Sequence, residues 1–310
     1  MNVDRDKTQE VAEKIRERLK ERNAILLAHN YQRPEIQDIA DLCGDSLELS
    51  MKAAETDADV IVFCGVHFMA ETASILSPDK QVLLPVETAG CPMADMITAD
   101  ALRDARRRMG EVEVISYINT TAAVKAESDM CCTSANAVSV VNSVNPIKQI
   151  LMTPDRNLAL YTQRQTGREI RYWEGFCPIH NNLSAQQVER TRAAHPRALF
   201  LAHPECPPEV LDLADVVKST SGMISFVRES EHREFIIGTE EGILYPFAKS
   251  NPEKVFIPAD SKMLCPDMKK TGLQEVLWAL EEMTPVVKVP EEIRIPAKQA
   301  LERMLAIPRD

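Results

Sequence analysis

The sequence predicts an α/β fold built from three copies of one unit, each with a mainly parallel sheet and helices on both faces. Of the four Cys-Pro dipeptides, three begin at Cys91, Cys177 and Cys265, which lie 86 and 88 residues apart, and only Cys206-Pro207 falls outside this period. A short apolar segment precedes each dipeptide, and such segments alternate with helical patterns along the chain, as in parallel sheets. A fixed period of this length indicates an internal repeat. The predicted units are 1–92, 93–178 and 179–266, with residues 267–310 packing on the first.

Other landmarks recur with the same period ahead of each cysteine. An apolar strand ends in a polar ring, a second polar side chain follows two residues later, and a hydroxyl lies 17 residues after the ring. The rings are His29, Tyr117 and His203, the second polar residues are Tyr31, Asn119 and Glu205, and the hydroxyls are Ser46, Ser134 and Thr220. Four landmarks rarely repeat in one order by chance, so we expect each copy to bring one cysteine to a shared centre.

The first unit begins with an amphipathic helix over residues 4–22, in which apolar residues recur every four positions. Pro34 opens the next helix, and Gly44-Asp45-Ser46 ends it and caps the third. The predicted strands of this unit are 24–28, 60–63 and 81–86, and its later helices are 35–42, 47–56 and 66–76.

The other two units repeat this alternation of strands and helices. In the second unit the predicted strands are 112–117, 149–152 and 169–173, and the helices are 100–109, 122–128, 133–143 and 157–165. In the third unit the strands are 199–202, 235–238 and 255–257, and the helices are 185–194, 208–213, 223–229 and 244–250. Thr133-Ser134 and Ser219-Thr220 are the predicted caps. The tail has a helix at 273–283, an extended stretch with Pro285, Pro290 and Pro296, and a helix at 298–305.

The composition is that of an ordinary globular protein with a large core, since 45% of the 310 residues are hydrophobic and 27% are charged. The net charge of −11 argues against nucleic acid and anionic membrane surfaces as partners, because both select basic proteins. The sequence has no apolar run of membrane-spanning length and no signal-peptide core at its start. We therefore expect a cytoplasmic protein whose cysteines are thiols or metal ligands.

The ends of the predicted strands carry the chemistry. Ligands of parallel sheets bind beyond the carboxyl ends of the strands, where the rings, the second polar residues and the Cys-Pro loops are expected. Three thiolates hold zinc or an iron–sulfur cluster, and a fourth, open coordination position favours catalysis over a structural role. The alternative is a set of buried thiols, which we expect for the remaining cysteines: Cys43, Cys64, Cys131, Cys132 and Cys206.

Acid–base groups and anion sites are predicted at the same ends. His29, His203 and Glu205 are candidate acids or bases, and Tyr31 and Tyr117 are candidate hydroxyl donors. A helix start with a hydroxyl residue can bind an anion, because N–H groups and the positive end of the helix dipole face the ligand. The alternative is ordinary N-capping, and the repeated register with the strand-end rings favours anion binding here. A further histidine, three residues after the second cysteine, has no counterpart in the other copies, which indicates a contact with the substrate. This residue is His180.

These residues lie in motifs that resemble the quinolinate synthase family over essentially the whole chain. The motifs are His29-Asn30-Tyr31, Gly65-Val66-His67-Phe68-Met69-Ala70-Glu71, Gly90-Cys91, Tyr117-Ile118-Asn119, Gly175-Phe176-Cys177-Pro178-x-His180, His203-Pro204-Glu205-Cys206, Ser219-Thr220-Ser221-Gly222 and Met263-Leu264-Cys265. The resemblance implies three homologous αβα sandwich domains around a pseudo-threefold axis. It also implies a [4Fe-4S] cluster bound by one cysteine of each domain, namely Cys91, Cys177 and Cys265.

The resemblance further implies an activity in NAD biosynthesis: condensation of iminoaspartate with dihydroxyacetone phosphate to quinolinate, phosphate and water. L-aspartate oxidase would supply the unstable iminoaspartate. Some family members have additional cysteines around the third ligand and a longer N-terminus. This chain has neither, so the resemblance does not extend to disulfide regulation there.

The two substrates carry two carboxylates and one phosphate, which matches three hydroxyl caps. We expect Ser219 and Thr220 to bind the phosphate, and the other caps to orient carboxylates with help from neighbouring polar residues. Those caps are Ser46 and Ser134, and the helpers are His29, Asn119 and His203. We expect Tyr31 and Glu205 to transfer protons, Tyr117 to pack over the substrate and His180 to contact the bound intermediate.

Two other interpretations fit the same three thiolates. A zinc-dependent lyase or hydrolase would activate water at the open metal position. An iron–sulfur redox sensor would only report oxidation, and its caps and strand-end residues would then have no role. A sensor also needs an output surface, and the sequence contains no basic helix or helix-turn-helix pattern.

Overall fold

The computed structural model describes residues 2–309, and within them the chain contains three parallel sheets of four strands. The strands are β1 Ala24–His29, β2 Leu42–Gly44, β3 Val60–Cys64, β4 Gln81–Leu83, β5 Val112–Tyr117, β6 Met130–Cys132, β7 Gln149–Thr153, β8 Arg171–Tyr172, β9 Leu199–Ala202, β10 Val216–Val217, β11 Glu234–Gly238 and β12 Val255–Pro258. The strand orders are β2-β1-β3-β4, β6-β5-β7-β8 and β10-β9-β11-β12, so the second strand in the chain is an edge strand in each sheet. This identical topology confirms the predicted α/β class and its threefold repeat.

Helices connect the strands, as the parallel pairing requires. They are α1 Asn2–Glu21, α2 Pro34–Ile39, α3 Ser46–Glu55, α4 His67–Leu76, α5 Ala99–Met109, α6 Ala122–Ala126, α7 Ala137–Ser143, α8 Arg156–Thr166, α9 Pro178–Asn181, α10 Ala185–Ala194, α11 Pro208–Leu211, α12 Thr220–Glu229, α13 Leu244–Ser250, α14 Leu273–Glu282 and α15 Glu291–Leu305. No helix among the described residues is long and apolar enough to cross a membrane.

The chain forms two compact units. One unit contains the first sheet and comprises residues up to 91 with 266–294, and the other contains the remaining two sheets and comprises 92–265 with 295–310. In the first unit, side chains of α1, α2 and α14 form one apolar core with alternate residues of β1 and β3, such as Leu26 and Val62. The intervening residues Leu27 and Phe63 are buried too, as expected for a sheet covered on both faces. The three predicted domain boundaries stay a prediction.

The sheets of the second unit have apolar cores of the same kind. Side chains of α5 and α6 pack with Val114 of β5 and Leu151 of β7. Side chains of α10 and α11 pack with Phe200 of β9 and Ile236 of β11. In each sheet the first strand occupies a central position, so its last residue and the turn after it emerge between two neighbouring strands.

The short edge strands β2, β6 and β10 were not predicted, because two or three residues are too few to show alternation. An aspartate precedes each of them and pairs with the central strand twice. Its N–H donates to a strand carbonyl at 2.9–3.0 Å, and its carboxylate accepts the N–H of the same strand residue at 2.7–2.8 Å. The pairs are Asp41 with Leu26, Asp129 with Val114 and Asp215 with Phe200. These paired hydrogen bonds begin the edge strands that the apolar pattern alone does not show.

Other local predictions differ from the structure. Asp45, not Ser46, caps α3 with its carboxylate, which leaves Ser46 as the first helical residue. Ser134 does not cap a helix, because α7 begins three residues later and residues 134–136 form a turn. The last helix was predicted to begin at residue 298, but α15 begins at Glu291 and continues through Pro296. A proline inside a helix removes one hydrogen bond, and here neighbouring turns of the helix remain formed on either side.

Candidate active site

The three Cys-Pro loops are held in the same way. In each case the residue two positions before the cysteine accepts a backbone N–H from the segment that follows the third strand of the sheet, at 2.8–2.9 Å. The donor and acceptor pairs are His67 and Ala89, Arg156 and Gly175, and Glu241 and Met263. This repeated bond places each loop directly beside the segment that follows the third strand of its sheet.

The histidines that follow β9 and end β1 share one conformation. Nδ1 of His29 accepts the N–H of Tyr31 at 3.1 Å, and Nδ1 of His203 accepts the N–H of Glu205 at 3.3 Å. The backbone of the strand end therefore orients both rings.

Glu205 lies at the centre of a buried group of side chains in the second compact unit. Its Oε2 atom lies 2.7 Å from Nδ1 of His180 and 3.7 Å from Nδ1 of His203. The Tyr117 side chain is also close enough to Glu205 to interact with it electrostatically. All four residues are at most 5% exposed. A buried carboxylate needs such partners, because burial without them would strongly favour the neutral acid.

The two histidines of this group stack on each other, with ring centroids 4.7 Å apart and planes inclined by 28°. Nε2 of His180 lies 2.8 Å from Oγ1 of Thr239, and Nε2 of His203 lies 3.2 Å from Oγ of Ser134. Each ring is thus held at both nitrogens. The arrangement provides a fixed set of proton donors and acceptors around one carboxylate.

The electrostatics follow from burial and from these contacts. Burial alone would raise the pKa of Glu205, but His180 and His203 beside it lower that pKa to about 2. Burial and the neighbouring Glu205 carboxylate raise the pKa of Tyr117 well above its usual value of 10. Glu205 is therefore an anion and Tyr117 a neutral hydroxyl across the physiological range. Such opposite shifts in one group are typical of acid–base sites.

Cys177 borders this group, since its Sγ atom lies 3.2 Å from Nδ1 of His180. The possible ligand atoms of Cys177, His180 and Glu205 all lie within 4.8 Å of one another. The second predicted metal ligand is thereby placed next to two predicted catalytic residues.

The remaining predicted site residues lie where the repeat put them, at strand ends and helix starts. Ser219 caps α12, Thr220 is the first residue of that helix, and Ser46 is the first residue of α3. Oδ1 of Asn119 is buried and has no hydrogen-bond partner among the described residues. In the first unit, the rings of Tyr31 and His29 are in edge contact at 4.6 Å.

Comparison with known proteins decides between the interpretations. The family described as "Quinolinate synthetase A protein" (NadA) matches residues 13–306. A protein named "Quinolinate synthase" from Geotalea uraniireducens is 59% identical over 301 residues, which cover 97% of this chain and 99% of the relative. The chain belongs to the quinolinate synthase family. The protein of the same name from Geobacter sp. (strain M21) is 58% identical over 96% of this chain and 97% of its own length. "Quinolinate synthase 1" of Methanosarcina acetivorans is 51% identical over 96% and 98%.

The quinolinate synthase family is known for an iron–sulfur cofactor, and its match over nearly the whole chain does not favour the zinc enzyme or the redox sensor. The cysteines of this chain separate into two groups by burial. Cys91, Cys177, Cys265 and Cys43 are partly exposed, whereas the others are buried. Burial raises the pKa of Cys131 to about 12 and also raises that of Cys64 and Cys206. Thiols of that kind are poor metal ligands, because the thiolate is the ligand.

The three cysteines implied by the family are thus among the accessible thiols, and their donor chemistry fits an iron–sulfur cluster. The fourth accessible thiol, Cys43, is in an edge strand and donates to the carbonyl of Gln37 at 3.5 Å. No two of the eight cysteines, all within the described residues, are joined by a disulfide.

Two polar residues that contact this group of side chains were not predicted from the sequence. Thr239, beside His180, directly follows β11 and so lies at a strand end like the predicted groups. Asp155, two residues after β7, accepts the N–H of Cys177 at 3.1 Å. Burial and then the Glu205 carboxylate raise the pKa of Asp155 well above its usual value. A search for polar residues after every strand, rather than after the first strand of each unit, would have found both.

Proposed function

We propose that this chain is a quinolinate synthase, which condenses iminoaspartate with dihydroxyacetone phosphate to quinolinate, phosphate and water. The observation that carries the proposal is identity of 51–59% over nearly the full length with relatives of that name. The substrates together contain the atoms of the product, phosphate and water, so the reaction needs no external oxidant or reductant. The enzyme must bind anions, move protons and promote the loss of water.

Anion binding is assigned to the hydroxyl residues and their neighbours. Ser219 and Thr220 at the start of α12 bind the phosphate, because the positive end of the helix dipole favours an anion there. Ser46 and Ser134 orient the carboxylates, helped by His29, Asn119 and His203. The contact of Ser134 with His203 supports these assignments. The unpartnered Oδ1 atom of Asn119 can accept a hydrogen bond only from an N–H or O–H group of the substrate, so Asn119 would bind a carboxylate through its NH₂ group.

Proton transfer is assigned to the group around Glu205. Glu205 is ionised at neutral pH and can accept a proton, although its low pKa makes it a weak base, and the neutral hydroxyl of Tyr117 is a donor beside it. His180 holds Glu205 through Nδ1 and contacts the reaction intermediate. Tyr117 also packs over the substrate. Tyr31, in the turn two residues after β1, is the proposed partner of Glu205 in proton transfer.

Cys91, Cys177 and Cys265 would hold a [4Fe-4S] cluster, with one iron left without a protein ligand. When bound, this group supplies a Lewis acid that polarises the C–O bonds lost as water. The partial exposure of the three thiols and the equal anchoring of their loops support the assignment. Nδ1 of His180 lies 3.2 Å from Sγ of Cys177, so this proposed ligand borders the group around Glu205.

The proposal also covers the source of iminoaspartate and the cellular location of the protein. Iminoaspartate hydrolyses readily as a free imine, so a functional link to L-aspartate oxidase, which would form it, is expected from the family resemblance. A cytoplasmic location is proposed from the composition and from the cofactor, because iron–sulfur clusters and thiols persist under reducing conditions.

The proposal is tested by purifying the protein without oxygen and measuring iron, acid-labile sulfide, the visible spectrum and quinolinate formation. About four iron and four sulfide per chain, with a brown absorbance band, are expected for a cubane cluster. Cys177→Ala should lose iron and activity together, whereas the matched control Cys43→Ser should retain both. Zinc without sulfide in the wild-type protein, or an active and colourless Cys177→Ala variant, would contradict the proposal.

A further inference from the structure

In each of the three periodic Cys-Pro loops, a side-chain carboxylate accepts a backbone N–H. Neither the sequence motifs nor the proposed reaction explains these carboxylates. In the second sheet, Asp155 is 2% exposed and joins two segments. Its Oδ1 atom accepts the N–H of Leu158 at 2.7 Å, in the first turn of α8, and its Oδ2 atom accepts the N–H of Cys177 at 3.1 Å. The start of the helix and the cysteine loop are thus tied to one side chain.

Glu240 repeats this arrangement in the third sheet. It is 1% exposed and occupies the same position as Asp155, two residues after the third strand of its sheet. Its Oε2 atom accepts the N–H of Gly242 at 2.7 Å, and its Oε1 atom accepts the N–H of Cys265 at 3.0 Å. Both oxygens are therefore used, one on the local turn and one on the cysteine itself.

The first sheet has valine at the equivalent position, Val66, which has no side-chain acceptor. Its cysteine loop is held instead by Asp267, from the segment 266–294 of the same compact unit. Oδ1 of Asp267 accepts the N–H of Gly90, next to Cys91, at 3.2 Å, and pairs with Nζ of Lys270 at 2.7 Å. Lys270 in turn donates to the carbonyl of Thr88 at 2.5 Å in the same loop.

We propose that Asp155, Glu240 and Asp267 are positioning residues, one for each cysteine loop, that fix the backbone at the cysteine in the conformation that binds the cofactor. The inference rests on the proposed function for what the loops bind, and on geometry alone for how they are held. The acceptor of the loop N–H is an aspartate in the second sheet, a glutamate in the third, and in the first an aspartate from another part of the chain. A carboxylate thus binds an N–H at or next to each cysteine although its residue type or position differs, which favours a requirement of the loops over a chance feature of the sheets.

The physical reason lies in the hydrogen-bonding capacity of these loops. A buried backbone N–H needs an acceptor, and a loop beyond a strand end has no neighbouring strand to supply one. A carboxyl group whose two oxygens both accept holds two N–H groups from different segments at once. An amide of the same shape would turn an NH₂ group toward one of the two N–H donors. Asp155→Asn and Glu240→Gln are therefore nearly isosteric changes that break one contact.

The test measures each cysteine separately in the full-length protein before iron is added. The protein is labelled with iodoacetamide, and peptide mass spectrometry gives the labelling rate of each thiol. We expect Asp155→Asn to accelerate labelling of Cys177 alone, Glu240→Gln that of Cys265 alone and Asp267→Ala that of Cys91 alone. Loss of a hydrogen bond to a charged group should make loop opening, and hence labelling, about tenfold faster or more.

The matched controls are Asp215→Asn in the unit of Asp155 and Glu240, and Asp41→Asn in the unit of Asp267. Each control carboxylate also accepts a backbone N–H, but from a central strand rather than a cysteine loop. The controls should leave all three labelling rates unchanged. Should Asp155→Asn not fold, Asp155→Ser replaces it, because serine still caps α8 but is too short to reach Cys177 as well.

A second measurement connects the loops to the cofactor. Each variant is reconstituted with iron and sulfide without oxygen, and iron loss to a chelator is followed at the visible band. The three variants should lose iron about tenfold faster than the controls. Equal acceleration at all three cysteines, or unchanged labelling in a variant with native circular dichroism, would overturn the proposal. If the wild-type protein takes up no iron and sulfide, the proposed function fails, and the labelling rates alone then decide whether these carboxylates position the loops.

Discussion

Nδ1 of His180 lies 2.7 Å from Oε2 of Glu205, with both side chains almost completely excluded from water. The two residues are separated by 25 positions in the sequence and belong to different motifs. Glu205 lies three residues after β9, and His180 lies in α9, the short helix that follows Cys177. Their contact joins the proposed cofactor ligand to the proposed proton-transfer group.

Glu205→Gln should retain iron but lose turnover, with kcat lower by about a hundredfold to ten-thousandfold, because an amide cannot accept the proton. The measurement is steady-state quinolinate formation together with the iron content of the same sample. Glu209→Gln, an exposed carboxylate in α11, is the matched control and should behave like the wild type. Normal turnover in Glu205→Gln would rule out the proton-transfer role of this residue.

Tyr117 should remain a neutral phenol in the native protein when the pH rises past its usual pKa of about 10. Burial and the Glu205 carboxylate raise its pKa, so the unfolded chain releases this proton at lower pH than the folded chain does. Stability should therefore fall as the pH rises above 10, and Tyr117→Phe should lack this component. Phenolate absorbance of native wild type and Tyr117→Phe should rise in parallel, with one additional tyrosine titrating in the wild type only after unfolding. An additional tyrosine in the native wild type would contradict the shift.

Glu113 should make the stability depend on pH in the acid range. Burial raises the pKa of its carboxyl, but ion pairs with Lys148 at 2.6 Å and Arg303 at 2.8 Å outweigh burial and lower the pKa below 4.5. A lowered pKa stabilises the fold above the usual value, and this stabilisation is lost as the pH falls through the folded-state pKa. Between about pH 5 and pH 3 the unfolding free energy of the wild type should fall more steeply than that of Glu113→Gln. Equal slopes in urea titrations would show that these ion pairs contribute nothing.

Asn136→Ala should weaken both the fold and substrate binding. The side chain is fully buried and donates to the carbonyls of Met304 at 3.3 Å and Ile307 at 3.4 Å, while its Oδ1 atom accepts the N–H of Thr133 at 2.8 Å. Removing it leaves buried polar groups unpaired, which costs about 1–3 kcal/mol.

The turn that carries Ser134 would also lose its anchor, so the KM of Asn136→Ala should rise by more than its kcat falls. Thermal unfolding and initial rates measure the two effects. Asn142→Ala, on the exposed side of α7, serves as the comparison and should change neither. An unchanged KM in a destabilised Asn136→Ala would mean that the C-terminal helix only supports the fold.

Much of the fold could be predicted because its signals are local. β9 and α13 have the predicted bounds, since a short apolar run between turn residues and an amphipathic stretch before Asn251 depend only on neighbouring residues. The edge strands could not be predicted in this way. Their formation depends on aspartates such as Asp129, which pair with a strand about 15 residues earlier. The end of the extended tail was also mispredicted, because Pro296 disfavours a helix locally and α15 nevertheless continues through it.

Some residues of the candidate site could likewise be predicted from the sequence, and others could not. The positions of Cys177, Tyr117 and Glu205 at strand ends follow from the repeat, and the structure places Tyr117 and Glu205 in contact. The roles assigned to them, and the pairing of Glu205 with Tyr31, stay predictions. Thr239 and Asp155 were not singled out, because a single threonine or aspartate in a loop has no distinguishing local pattern.

The threefold repeat, the α/β class, the family and a loop position for each cysteine could all be predicted, because period, apolar runs and motifs are properties of the chain. The contacts between side chains are known from the folded structure: His180 and Thr239 near Glu205, and a carboxylate at each cysteine loop. Such contacts join residues dozens of positions apart. They depend on the packing of whole elements, and on the need of every buried N–H and carboxylate for a partner.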